Sequence, residues 1–258
     1  MTRVFLITLA AVLLSMTGWF IASLLRGRND IADTAWGLGF ILAAAVSLFA
    51  GKTFAGRALL VSSLVLIWGI RLALHIHSRN RGKGEDPRYR KWREEWGRWF
   101  VPRSFLQVFM LQGVLLLMVA TPVVFINAAP ARPLTGIDGI AMAVWCTGFL
   151  FETIGDLQLR RFLANPANRG RLMTSGLWHY SRHPNYFGEV TLWWGIWLLA
   201  LPLPGGWLTV IGPLTITFLI LKVSGIPMLE EPYEGRPDFE EYKSRTSAFF
   251  PLPPRRVE

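Results

Sequence analysis

Seven stretches of the chain stay apolar for close to the roughly 20 residues that a helix needs to cross a bilayer. They lie near 4–25, 32–50, 58–77, 105–127, 137–157, 187–203 and 206–223, with the charged residues gathered between them. That pattern predicts an all-α, polytopic membrane protein with seven transmembrane helices in a single domain over 1–258. The last two stretches are separated only by Leu203-Pro204-Gly205-Gly206, a breaker cluster that predicts a tight turn between two passes. No small-residue cleavage site precedes Arg26, so the first stretch is expected to be a retained helix rather than a signal peptide.

Composition sharpens this picture. With 52% hydrophobic and 17% charged residues, the chain is too apolar for an ordinary soluble domain. A net charge of +10 could suggest nucleic acid, but the basic residues follow membrane topology instead. If the N-terminus is outside, only Arg3, Lys52, Arg57 and Arg132 fall on the outer side and Arg71 within the third helix. The other Lys and Arg residues then share the inner side with the C-terminus, as the positive-inside rule requires. Cys146 is the single cysteine, which excludes an intrachain disulfide, and its apolar setting predicts a buried, inert thiol.

The candidate chemistry is concentrated in Ser175-Gly-Leu-Trp-His-Tyr-Ser-Arg-His-Pro-Asn-Tyr-Phe-Gly-Glu189, just ahead of an apolar run. Pro184 predicts a helix start there, so Asn185, Tyr186 and Glu189 project from its first turns, and the free N–H groups suit an anionic group such as a phosphate. An interfacial aromatic belt with a basic flank would account for Tyr180, Tyr186 and Arg182, but has no use for Asn185 and Glu189 together. Upstream, Glu152 and Asp156 are one turn apart and Arg160 continues their face. Two readings stay open for these acids: pairing with Arg160 or Arg161, or accepting hydrogen bonds from a ribose or carboxamide.

Three further segments carry chemistry. Asn29 and Asp30 read as cap and dipole partner of the second helix. Asp33, one turn deeper, enters the apolar zone, where an unpaired carboxylate is costly; Arg71 is its expected partner, the alternative being that each snorkels separately. Between Ser78 and Arg103 a glycine-punctuated loop precedes a short amphipathic helix. Trp92, Trp96 and Trp99 are expected on lipid headgroups, while Arg79 to Arg88 has the alternative role of a lid over a phosphate-bearing ligand. In the tail, Glu230, Glu231 and Tyr233 lie nearest the membrane and could close a site. No dinucleotide glycine fingerprint, Walker loop, zinc-spaced histidine pair or nucleophile elbow is present.

With these residues in view, the chain resembles the steroid 5α-reductase C-terminal superfamily, in particular its bacterial seven-helix members. The resemblance rests on Glu152 to Arg161, Arg171 with the Ser175 to Glu189 motif, and the tail Glu240-Glu-Tyr-Lys-Ser-Arg-Thr-Ser-Ala-Phe-Phe-Pro251. Asp30 to Gly37 and Arg79 to Tyr89 extend it. It implies an NADPH-dependent reductase of a lipophilic, steroid-like conjugated enone, set in a bacterial inner membrane with its site open to the cytoplasm. Hydride would go to the β-carbon while the carbonyl is polarised.

Carried over by position, Glu152, Asp156, Arg160, Arg171, Tyr180, His183, Asn185 and Glu189 look like cofactor contacts, with Asn168, Arg182, Tyr186, Glu230 and Tyr233 as additions. Asp33 stands where the steroid enzymes hold the substrate carbonyl. Their third-helix tyrosine is missing, and Trp68 and Arg71 occupy that neighbourhood, which makes Arg71 the second candidate catalytic residue. The expected partners are a lipophilic substrate and membrane lipids, without nucleic acid, and the expected state is a monomer. The Arg-His-Pro-x-Tyr kernel is also similar to that of S-adenosylmethionine-dependent lipid and isoprenylcysteine methyltransferases. That remains the alternative enzyme, with a non-catalytic lipid-binding protein as the third class.

Overall fold

A computed structural model describes residues 1–54 and 56–255; position 55 and positions 256–258 of the expected domain lie outside the described residues. The described chain is all-helical, without strands. In order it contains α1 (Thr2–Arg26), α2 (Ile31–Gly51), α3 (Gly56–Asn80), α4 (Pro87–Trp96), α5 (Phe100–Arg103) and α6 (Leu111–Val119). There follow α7 (Thr121–Ala128), α8 (Gly136–Ala164), α9 (Pro184–Leu198), α10 (Ile211–Phe218), α11 (Ile226–Glu230) and α12 (Pro237–Arg245).

Among the described residues, six segments are long and apolar enough to cross a membrane: Thr2–Arg26, Ile31–Gly51, Gly56–Asn80, Pro87–Val119, Gly136–Ala164 and Gly206–Tyr233. They mark an integral membrane protein. Two elements differ from the expected pattern. The amphipathic stretch and the fourth apolar run form one rod, because α4 passes through a 3₁₀ turn, α5 and a π-helical stretch, Ser104–Met110, into α6. Residues expected in a helix over 105–127 are then divided at Ala120, where Pro122 opens α7. The sixth apolar run is only the 15-residue α9, which rises roughly 22 Å against a hydrocarbon core of about 30 Å.

The chain divides into two compact units, residues 1–135 with 199–212, and 136–198 with 213–258. In the first, α1, α2 and α3 pack side by side around Met16, Phe40, Trp68, Phe109 and Leu116, all fully buried. Asn127 on α7 donates to the Ala44 carbonyl (3.1 Å) and the Ser47 hydroxyl (2.9 Å) of α2, so a polar group in an apolar setting is satisfied by joining two helices. Asn29 does not cap α2 as expected. Its amide nitrogen donates to Ser104 Oγ (2.8 Å) and its N–H to Glu85 (2.7 Å), and Asp30 takes the cap position. Distant parts of the chain offered better acceptors than the local turn.

In the second unit α8 and α9 touch backbone to backbone. A Cβ on Gly148 would lie 2.6 Å from the Gly188 carbonyl, and one on Gly188 would lie 2.3 Å from the Glu152 nitrogen. Glycine at both positions leaves no side chain there to hold the helices apart. The tail then folds onto the loop before α9. Ser247 accepts from the Arg182 N–H (2.8 Å), Phe249 from Ser181 Oγ (2.9 Å), and Tyr180 from the Leu252 N–H (3.0 Å). The Tyr242 hydroxyl donates to the Trp178 carbonyl, and burial pushes its pKa up, so it remains a donor. Cys146, expected to be buried, is exposed on the outer face of α8.

Candidate functional site

Each unit holds one cluster of chemistry. In the first, Asp33 lies in the opening turn of α2, and Asp86 caps α4 by accepting from the Arg88 N–H (2.9 Å). The cap and Pro87 fix where α4 begins, so Arg88 and Tyr89 fall in its first turn. Tyr89, 7% exposed, donates its hydroxyl to Asp33 Oδ1 at 2.7 Å. Arg88 reaches Asp33 Oδ2 at 3.2 Å, and Arg79 lies 3.6 Å from the same oxygen. Asp33 is thus held by Tyr89, Arg88 and Arg79, the last of them eight residues beyond the half-buried Arg71 on α3.

Arg88 is itself gripped by Asp86 through two bonds, at 3.0 and 3.1 Å. Burial raises the Asp86 pKa, but the hydrogen bonds and charge of Arg88 outweigh it, so the net shift is downward. A carboxylate whose pKa is lowered on folding contributes stability above its unfolded value, near 3.9, and that contribution is lost as pH falls through the folded pKa. Thermal unfolding followed across about pH 5 to 2 is therefore expected to show an acid-side loss that Asp86→Asn reduces. An identical loss in the variant would mean that other carboxylates dominate.

The second cluster surrounds the start of α9. Asn185 donates to Asp156 Oδ1 (3.1 Å), and a Cβ on Gly155 would lie 3.1 Å from the Asn185 nitrogen. Glu152 and Asp156 are buried on α8, and Glu189 is half-buried one turn beyond Asn185. The His183 ring stacks on Tyr186, 5.7 Å between centroids. Two buried polar atoms here have no hydrogen-bond partner, His183 Nδ1 and Asn185 Oδ1. Orphaned buried groups cost about 1–3 kcal/mol each, so such atoms suit a ligand.

Arg182, His183 and Glu230 form a clasp. Arg182 donates to both Glu230 oxygens (2.8 and 3.1 Å) and to the Thr246 carbonyl (2.7 Å), and His183 Nε2 meets Glu230 Oε1 at 2.8 Å. These donors fasten α11 and the tail to the loop before α9, which makes Arg182 and Glu230 supports of the cluster. The remaining candidates are spread more widely. Arg160, Arg171, Tyr180 and Tyr233 are exposed. The Asn168 side chain closes its own turn on the Phe162 carbonyl (2.9 Å), and Tyr233 packs on Phe239. Arg236 donates to the Gly170 carbonyl (3.0 Å), which ties the tail to the loop bearing Asn168 and Arg171.

The family described as "Protein of unknown function (DUF1295)" matches residues 19–246, which is most of the chain. The chain belongs to the DUF1295 family. DUF1295 is related to the steroid 5α-reductase-like proteins, and every candidate residue named above lies inside the matched span. A curated relative, "Uncharacterized protein C594.04c" of Schizosaccharomyces pombe, is 25% identical over 58% of this chain and 50% of its own length. The DUF1295 chain therefore spans half the length of that relative. No solved structure matches it.

Tyr89 was not singled out as a site residue from the sequence, and Arg79 and Arg88 were expected only as the ends of a lid over a phosphate-bearing ligand. A signal existed in Asp86-Pro87, a cap followed by a first-turn proline, which places Arg88 and Tyr89 at a helix start. What the sequence lacked was the return of that helix start to α2.

Proposed function

We propose that this protein is a membrane-embedded, NADPH-dependent reductase of a lipophilic conjugated enone. The observation that carries the reading is the pair of orphaned atoms, His183 Nδ1 just ahead of α9 beside Glu230 and Asn185 Oδ1 in its first turn beside Asp156. An amide oxygen and a ring nitrogen left unpaired next to a carboxylate suit a ligand that both donates and accepts hydrogen bonds, as a carboxamide and ribose do. Around the same unit, Arg160, Arg161, Arg169 and Arg171 are exposed and, among the described residues, have no ion-pair partner. Four unspent guanidiniums suit a polyphosphate. S-adenosylmethionine carries no phosphate and would leave them without use.

NADPH, when bound, supplies the hydride. The chain's own groups do the rest. Glu152, Asp156, Asn185 and Glu189 would hold the sugar and carboxamide, and Arg160 and Arg171 the phosphates. In the first unit, the Tyr89 hydroxyl would turn its one proton from Asp33 to the substrate carbonyl oxygen, leaving Asp33 to Arg88 and Arg79. A carbonyl bound in this way would be polarised, which makes the β-carbon of an enone electrophilic.

The same reading makes α9 with the turn after it the seventh crossing, tilted or locally thinning the bilayer because it is short. It places the N-terminus outside and the C-terminus, the basic loops and the site at the cytoplasmic face of a bacterial inner membrane, in a monomer.

Purified protein in detergent should consume NADPH with a 3-oxo-Δ4 steroid. Arg171→Ala should weaken NADPH binding about 10- to 100-fold, the loss of one charge-assisted contact, measured by titration. Saturable S-adenosylmethionine binding without NADPH binding would select the methyltransferase instead. Absence of both would leave the lipid-binding class.

A further inference from the structure

The loop between α3 and α4 borders an open cavity of 440 Å³ whose lining includes Asp30, Arg79, Lys83, Glu85, Asp86 and Arg90. Its charges do not cancel. Each lining carboxylate is already committed to an arginine outside the lining: Asp30 to Arg28 at 2.6 Å, Glu85 to Arg93 at 2.9 Å, and Asp86 to Arg88 at 3.0 Å. The lining cations are left over. Among the described residues Lys83 and Arg90 have no carboxylate partner, and Arg90 donates only to the Glu85 carbonyl at 3.3 Å. Arg79 shares Asp33 with Arg88.

The loop is also held in shape. Arg28 donates to the Lys83 carbonyl (2.7 Å) and the Gly84 carbonyl (3.2 Å), and Gly82 takes a φ of 75° that a side chain would resist. Its place in the chain indicates what it meets. One membrane-length segment, Gly56–Asn80, ends at the cavity, and another, Pro87–Val119, begins there, which puts the cavity at headgroup depth. Just beyond, Trp92 and Trp96 stack at 5.4 Å and Trp99 is 55% exposed, the side chains that favour a membrane interface.

We propose that this cavity binds the phosphate headgroup of an anionic phospholipid, independently of the reductase reading. A preformed basic pocket between spans gains roughly 1 kcal/mol for each Lys or Arg near the anion. The tryptophans beside it favour a lipid over a soluble phosphate compound, because a soluble ligand has no use for an interfacial belt.

The test places the full chain and the Lys83→Gln/Arg90→Gln variant in nanodiscs of phosphatidylglycerol or of phosphatidylcholine. Retained lipid is counted by native mass spectrometry, and thermal unfolding is recorded. Wild type should retain phosphatidylglycerol selectively and unfold at a higher temperature in it. The variant should bind it roughly 25-fold less tightly while unfolding like wild type in phosphatidylcholine. Equal retention of the two lipids by wild type, or undiminished retention by the variant, overturns the proposal. So does inorganic pyrophosphate that displaces phosphatidylglycerol and reproduces its stabilisation, which would make the cavity a soluble-phosphate site. Should the variant fail to fold, the selectivity and displacement measured on wild type decide the matter.

Discussion

Tyr89→Phe is expected to lower turnover of an enone by roughly 10²- to 10³-fold while NADPH affinity stays within about twofold of wild type. The substitution removes one oxygen and keeps the ring, so Tyr89's buried packing and its edge contact with Trp92 at 5.3 Å survive. Asp33 keeps Arg88 at 3.2 Å and Arg79 at 3.6 Å, and the fold around it should hold. What is lost is the donor that would face a carbonyl. Asp33→Asn should resemble it, because the hydroxyl then loses the carboxylate that orients it at 2.7 Å. Steady-state kinetics with direct nucleotide titration separates the effects. Unchanged turnover would remove Tyr89 from the chemistry, and a parallel loss of nucleotide binding would place the pair in the wrong role.

Gly188→Ala should be the most damaging small substitution in the second unit. In a helix interior, alanine normally stabilises over glycine by about 0.5–1 kcal/mol. Here the new Cβ would lie 2.3 Å from the Glu152 nitrogen and 2.5 Å from the Gly148 carbonyl, both backbone atoms that cannot rotate away. Overpacking of this kind costs about 1–3 kcal/mol even where side chains can adjust, so the sign reverses and α8 and α9 must part. The movement would also separate Asp156 from Asn185, now 3.1 Å apart. A lowered unfolding temperature and weakened NADPH binding are expected together. Gly139→Ala supplies the contrast, since a Cβ there meets nothing within 4 Å, and it should be neutral or mildly stabilising. If both variants behave alike, the close approach of the two helices does not govern the site.

The two clusters differ in how visible they were. Around α9 the chemistry is local: Asp156, Asn185 and Glu189 stand out because polar groups in an apolar run demand a reason, and Pro184 marks the helix start. Arg182 and Glu230 also stood out, yet as supposed cofactor contacts, and the structure engages them with each other across 48 positions of chain. Around Asp33 the sequence showed the acid but not its partners Tyr89, Arg88 and Arg79. Arg71 shares the apolar zone with Asp33, whereas Tyr89 lies in a loop-and-helix stretch whose path back to α2 depends on the Arg28, Asp30, Glu85 and Arg93 network.

Alone, the sequence determined the solvent and the element type: runs of apolar residues near bilayer length can satisfy their backbone groups only as helices. It also determined which polar residues are costly and so call for a partner or a ligand. Tertiary structure decided which partner each one found. It paired Asp33 with Tyr89, fastened Arg182 to Glu230, turned Cys146 outward and left His183 Nδ1 and Asn185 Oδ1 unsatisfied. The physical reason is that a hydrogen bond forms over about 3 Å, and hydropathy carries no information at that distance. Only the close approach of glycine-bearing helices and the anchoring of loops bring donors and acceptors within it.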